Sequence, residues 1–153
     1  AVIMYLGGTV GGEVMKATAA AGGRSTMFYG MSIVPGDVTA KLVGNQTSGL
    51  AISQVVPYPW SDADAQARDY RQLAERSQVP VGYLSFEGYV NALVMVEALK
   101  RTGRELTRPR LHAALKAMRM RVAGMDVDFT GAGNTGSRFI EMVRVTQDGK
   151  FLR

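Results

Sequence analysis

The stretch Leu50-Ala51-Ile52-Ser53-Gln54-Val55-Val56-Pro57-Tyr58-Pro59-Trp60 decides how this chain divides. Its first seven residues read as a buried strand, and its last four carry prolines at alternating positions. Each proline fixes its own φ and biases the residue before it toward extended backbone. Pro57 to Trp60 therefore reads as a stiff strut that stops where Ser61-Asp62 opens a helix. A strut between two packed segments implies a hinge, with the remaining sequence distributed on either side of it.

Upstream, Ala1 to Leu6 is a continuous apolar run ended by Gly7-Gly8, the pattern of a parallel strand covered on both faces. Val10, Val14, Ala17 and Ala21 recur at helical spacing, and Gly22-Gly23 supplies the stop. Thr26 to Tyr29 is expected as a second strand, Gly36 to Val43 as a short helix opened by Pro35, and Ser48-Gly49 as a turn into the strand at Leu50. Strand, helix, strand, helix, strand is an α/β half-sheet.

Downstream the texture is helical. Ser61 is the expected N-cap, with Asp62 and Asp64 in the first turn and Tyr70, Leu73 and Ala74 on the buried side. A helix opening near Ser85 presents Tyr89, Val90, Leu93, Val94, Val96 and Leu99 as a wide apolar face and stops at Thr102-Gly103. Thr107 caps a further helix with Pro109 in its first turn and Leu111, Ala114, Leu115 and Met118 toward a core. Val127 to Phe129 reads as a strand, and residues 130–136 form a loop rich in residues that accept positive φ, a second joint. Phe139 to Thr146 alternates as a half-exposed strand, and Asp148-Gly149 turns into Lys150 to Arg153.

The bulk numbers narrow the function. At 153 residues and 46% hydrophobic, the chain is long enough to bury on the order of 70% of its unfolded surface. The net charge of +5 comes from thinly spread Lys and Arg with acids between them, so a nucleic-acid footprint is not expected. The absence of Cys excludes a disulfide framework, a Cys zinc site and a thiol nucleophile. Ala1 to Leu6 reads as a strand with no leader pattern ahead of it, so the segment is expected to begin inside a domain. No apolar run approaches the roughly 18 residues of a bilayer span, so a soluble segment is expected.

No catalytic constellation emerges. His112 is the single histidine, on a helix between Leu111 and Ala113, with no partner for nucleophilic or metal chemistry. Glu87 and Glu97 read as a first-turn acid and a surface acid. Gly7-Gly8-Thr9-Val10-Gly11-Gly12 follows a strand and precedes a helix, but no register places Gly at the first, third and sixth positions and no Lys-Ser/Thr follows. It reads as a strand-to-helix turn at the carboxyl end of a parallel strand, where α/β sheets bind ligands and free backbone N–H groups are on offer. Met31-Ser32 occupies the equivalent place after the second strand. Gly8, Thr9, Met31 and Ser32 are therefore the candidate ligand-binding residues, with no metal and no cofactor expected.

The order of five stretches is similar to the C-terminal half of type I periplasmic substrate-binding proteins, the leucine/isoleucine/valine-binding family of ABC importers. They are Ala1 to Gly8 with its helix, Phe28-Tyr29-Gly30-Met31-Ser32-Ile33-Val34, Gln54 to Trp60, Leu84-Ser85-Phe86-Glu87-Gly88-Tyr89, and Gly136-Ser137-Arg138-Phe139. The resemblance covers nearly the whole chain. It implies an α/β fold of two parallel-sheet lobes with helices on both faces, present here as a partial two-lobe fragment. Residues 1–56 would be part of the C-terminal lobe, 57–60 a crossover hinge, 61–129 N-terminal-lobe helices and strand, 130–136 a second crossover hinge, and 137–153 the returning strands. Pro57, Tyr58, Pro59 and Asn134 would be hinge residues.

It implies a non-enzymatic function, capture of a small amino acid or related carboxylate by hinge closure, with an ABC permease as partner and a periplasmic location, the signal peptide lying outside this chain. By position, Thr9 or Gly8 falls where the family places an aromatic ligand contact. Ser32 falls where branched-chain amino-acid binders place the acid that holds the ligand ammonium. Both depart from that pattern, and loss of the acid removes a charge-assisted partner worth roughly 1.5–3 kcal/mol. Two other readings stay open: an α/β enzyme domain using the Gly7–Gly12 turn for a phosphate-bearing ligand, and a receptor sensory domain of the same fold. Half-sheets in an isolated piece would expose apolar surface, so self-association is expected.

Overall fold

A computed structural model describes residues 1–7, 9–44 and 49–153. Gly8 and Ser48, named above, lie outside the described residues. The chain divides into two compact units, residues 1–55 with 140–153 and residues 56–139.

Unit 1 carries a five-stranded sheet in the order β1-β2-β3-β6-β7, with β1 (Val2–Met4), β2 (Phe28–Gly30), β3 (Leu50–Gln54), β6 (Glu141–Val145) and β7 (Phe151–Leu152). β1, β2 and β3 are parallel, in register Met4↔Gly30↔Ile52. β6 runs antiparallel to β3 with Gln54↔Glu141 as a cross-strand pair, and β7 pairs antiparallel with β6. Helices α1 (Val10–Ala20) and α2 (Gly36–Val43) connect the parallel strands, and α2 occupies the span that the sequence predicts.

Both helices cover the same face. Met4, Phe28, Leu50, Ile52, Val143 and Val145 are buried beneath them, with Ile52 fully so. On the other face Ile3 is 83% exposed, and Tyr29, Met142 and Leu152 are also open. The expectation that β1 is covered on both faces is therefore corrected: α1 and α2 seal one side only. The buried side of α1 also differs from the expected Val10, Val14, Ala17 and Ala21. It is Gly11, Gly12, Met15 and Ala19. A Cβ built on Gly12 would lie 3.1 Å from Leu42 Cδ1, so the glycines turn inward because they let α1 approach α2 closely.

Unit 2 contains α3 (Ala65–Arg76), α4 (Tyr83–Thr102), α5 (Arg108–Lys116) and an antiparallel hairpin of β4 (Arg119–Val122) and β5 (Met125–Asp128). The N-cap of α3 is Asp64, whose Oδ1 accepts from Ala67 N at 2.8 Å, and not Ser61. Ser61 is held instead in a turn, its N–H donating to Tyr58 O at 3.2 Å. The expected strut is thus a folded connector from Tyr58 onward.

The core of unit 2 is aromatic. The Tyr70 ring centroid lies 4.8 Å from that of Phe86 and 5.6 Å from that of Tyr89. The Tyr70 hydroxyl takes a hydrogen bond from Gly82 N at 3.0 Å and lies 2.6 Å from Ser85 Oγ, which ties α3 to the start of α4. Tyr83, Phe86, Val90 and Ala98 form the buried stripe of α4, while Leu84, Met95, Val96 and Leu99, four apolar side chains on one other face, are exposed. The wide face expected there is split: Val90 is inside, and Val96 and Leu99 are outside. Leu73 of α3 is likewise 51% exposed. α5 has no fully buried residue, and the core position its sequence points to is Met118, just past its end.

β4 was not expected. Its partner β5 begins two residues earlier than the strand expected at Val127, and Ala123-Gly124 forms the turn, with φ of 49° and 78°. Ala123 sustains positive φ because its side chain is buried and its N–H donates to Gln66 Oε1 on α3.

Candidate functional site

Parallel strands leave their connecting loops at one edge of a sheet. Because Met4 and Gly30 are register partners, the segment after β1 and the segment after β2 depart side by side from the carboxyl edge of unit 1. Thr9 stands at the N-cap position of α1 with φ −86° and ψ −10°, makes no side-chain cap bond, and is exposed. Met31 is 44% exposed and Ser32 half-buried, in a turn where Val34 N donates to Met31 O at 2.9 Å. The fold thus brings Thr9, Met31 and Ser32 to one edge.

Sequence reasoning passed over exposed Tyr5 and Ile33, which flank these loops. It also passed over Gln54, which is only 2% exposed at the carboxyl end of β3. A buried polar residue closing a parallel strand was the signal available for Gln54. At the same edge Glu141 Oε1 accepts from Arg153 Nε at 2.6 Å.

Gly11 and Gly12 lie inside α1 against Met4, Leu42 and Val43, so they do not form an open phosphate loop. An open concavity of about 450 Å³ lies around Thr146, Asp148 and Leu152 on the β6–β7 hairpin, at the opposite end of β6 from Glu141. Among the described residues no group of three or more His, Asp or Glu is placed to hold a metal, and no helix is long and apolar enough to cross a membrane. His112 is exposed on α5, and Glu97 pairs with Arg101 at 2.8 Å as a surface acid.

The hinge candidates fall in unit 2. Pro59 is buried, and its carbonyl and that of Ser61 each accept from Arg71 Nη1 at 2.9 Å. Asn134 Oδ1 accepts from Lys116 Nζ at 2.7 Å. Nearby, hydrogen bonds from the Thr130 hydroxyl and N–H, with Arg119 alongside, hold the Asp128 carboxyl below its usual range. Burial raises Tyr89, with Asp69 and Asp64 adding to the shift. In unit 1, Lys150 and the Thr146 hydroxyl pull Asp148 down to about 2.

No curated protein matches the chain. Solved structures do, over nearly all of it. A substrate-binding periplasmic protein from Ralstonia solanacearum shares 24% identity at TM-score 0.84, covering 98% of this chain and 44% of that one. An extracellular ligand-binding receptor from Verminephrobacter eiseniae shares 23% at TM-score 0.83, covering 99% and 44%. A branched chain amino acid ABC transporter from Thermus thermophilus with bound valine shares 18% at TM-score 0.81, covering 99% and 43%. The chain therefore spans less than half the length of these structures, and at such identities the likeness is one of fold. A model of the periplasmic binding protein family matches residues 1–150. That family is generally non-enzymatic and implies a periplasmic or extracellular location. With the match running from the first strand to the last hairpin, this chain belongs to the periplasmic binding protein family, type I.

Proposed function

We propose that the chain is part of the solute-binding component of an ABC importer that captures a small amino acid or related carboxylate by closure of two lobes. The observation that carries this reading is the departure of the Thr9 and Met31-Ser32 segments from one carboxyl edge of a parallel strand pair, in a chain of this family. The hydroxyls of Thr9 and Ser32, with backbone N–H groups at the start of α1, supply neutral donors suited to a carboxylate, and Met31 supplies apolar contact. Residues 1–56 and 137–153 belong on this reading to one lobe, and 61–129 to the other. Pro57, Tyr58 and Pro59 lie in one connector and Asn134 in the other, and closure of the lobes turns on bending within these two connectors. The partner is an ABC permease and the compartment the periplasm.

Thermal shift of the full-length protein against a panel of amino acids and small carboxylates tests it. A ligand at a hundred times its Kd adds about 2.7 kcal/mol of stability, and a panel without any shift counts against the proposal. Ser32→Glu restores an anionic partner for an ammonium group. Affinity for an α-amino acid is expected to rise about tenfold or more, and an unchanged affinity removes Ser32 from the site.

Self-association is part of the same reading. Ile3, Tyr29, Met142 and Leu152 leave one sheet face of unit 1 open, and Leu84, Met95, Val96 and Leu99 leave a stripe of α4 open in unit 2. A second copy is the available cover for an isolated chain. Light scattering should show dimers or larger species that Met142→Lys with Val96→Lys disperses; a monomeric parent chain refutes this.

A further inference from the structure

The two connectors leave unit 1 as neighbours. Gln54 ends β3, Glu141 begins β6, and the two are cross-strand partners, with Arg153 on the Glu141 carboxylate. Each connector is then fastened to unit 2 within a few residues. On the first, Arg71 Nη1 donates to Pro59 O and Ser61 O, its Nη2 lies 2.5 Å from Asp62 Oδ1, and Arg68 donates to Asp62 O. Trp60 packs between Tyr58 and Tyr83, at centroid distances of 5.2 and 5.8 Å. On the second, Lys116 Nζ donates to Gly133 O at 2.9 Å and to Asn134 Oδ1 at 2.7 Å, Asp128 N donates to Gly136 O at 2.6 Å, and Ser137 Oγ lies 3.9 Å from Met125 Sδ. Between the Gln54↔Glu141 pair and these fastenings, Val55 and Ile140 are exposed, at 37% and 69%, whereas the adjoining Val56 is buried and Phe139 N donates to Ser137 Oγ at 3.1 Å.

We propose that Arg71 and Lys116 are positioning residues that confine bending to two short, adjacent pivots, one at Val55 and one at Ile140. Tyr58, Pro59 and Asn134 then travel with unit 2 and do not flex. A guanidinium fork holding two carbonyls and a carboxylate presents a rigid geometry, whereas Pro57 limits its own φ and leaves the Val55 dihedrals to turn. This rests on the hinge reading above and refines where the hinge works.

The test is backbone 15N relaxation on the chain, together with anisotropy decay of Trp60, the single tryptophan. Tyr58, Trp60 and Asn134 are expected to show order parameters of rigid backbone, about 0.85, with lower values at Val55 and Ile140. Arg71→Met is expected to spread that mobility into residues 58–62 and to add a fast component to the Trp60 decay. Lys116→Met is expected to do the same for residues 133–136 while leaving Trp60 unchanged. Greater mobility at Tyr58–Trp60 and Asn134 than at Val55 and Ile140, or variants without effect on their own connector, overturns the proposal. None of these readouts needs a ligand, so a failed solute panel and a failed pivot assignment are separate results.

Discussion

Unit 1 seals its core with glycine and unit 2 seals its own with aromatic rings, and the two solutions respond differently to change. In unit 1, Gly11 and Gly12 bring α1 into close contact with Met4 and with Leu42 and Val43 of α2. The core beneath is mainly aliphatic, centred on Ile52, with Phe28 as its aromatic member. In unit 2 the connection between α3 and α4 depends on Tyr70, Phe86 and Tyr89, and the irregular segments are fastened by Arg and Lys side chains to backbone carbonyls. Close backbone approach makes unit 1 intolerant of small added volume. Ring packing makes unit 2 intolerant of lost volume.

The largest test of this contrast removes core volume. Phe86→Ala, at a side chain with no exposure, should cost about 3–5 kcal/mol, and Ile52→Ala about 2–5 kcal/mol. Denaturant unfolding followed by Trp60 fluorescence should register the first directly in unit 2, and amide exchange of β2 and β3 the second in unit 1. Equal loss of protection in both units from either change would erase the distinction drawn here.

Adding volume comes next. A Cβ on Gly49 would stand 2.8 Å from the Thr26 carbonyl oxygen, which is backbone with little room to move. One on Gly136 meets the outer atoms of the Phe129 ring at 2.4–2.8 Å, and a half-buried ring can swing aside. Gly49→Ala should therefore cost about 1–3 kcal/mol by denaturant midpoint and Gly136→Ala under about 1 kcal/mol. A reversed order would show that unit 2 is the more tightly packed.

A cap is worth less. Asp64→Ala should lower the stability of unit 2 by about 1 kcal/mol, with fraying of α3 seen as faster exchange at Ala67, while Ser61→Ala leaves α3 unchanged.

The smallest effect is acid sensitivity. Asp148 titrates at about 2 because Lys150 and the Thr146 hydroxyl favour its charged form. A depressed folded value means that its contribution is complete above the ordinary carboxylate range and is lost as pH falls through about 2. Asp128 follows the same sign in unit 2. Chemical shifts of Gly149 should move in that acid window, and those of Thr130 below the ordinary carboxylate range, with α1 and α4 still folded; movement near neutral pH would contradict the assignment.

The parts of this fold legible in sequence were those marked by local chemistry. Pro35 opens α2, and Thr107 with Pro109 opens α5, its Oγ1 accepting from Arg110 N. What stayed hidden was set by distant neighbours. β4 alternates Arg119, Met120, Arg121 and Val122 directly after a helix, and its Ala123-Gly124 turn lacks the Asn-Gly signal, so only pairing with β5 reveals it. Ser61 and Asp64 both look like caps; Arg71 decides between them by engaging the Pro59 and Ser61 carbonyls and the Asp62 carboxylate. At the candidate site, the placement of Thr9, Met31 and Ser32 at one sheet edge was legible from strand ends alone. Gln54 was lost within an apolar run because its burial depends on β6, some 85 residues later in the chain.

That last separation has a consequence for synthesis. Unit 1 is built from two stretches of chain with all of unit 2 between them, so β3 emerges long before β6 can pair with it. At roughly 5–20 residues per second, the β3 edge waits on the order of ten seconds with its N–H and C=O groups unclaimed. During that interval the nascent protein carries a ready template for foreign strands, and the time it takes to make residues 56–139 sets how long that risk lasts.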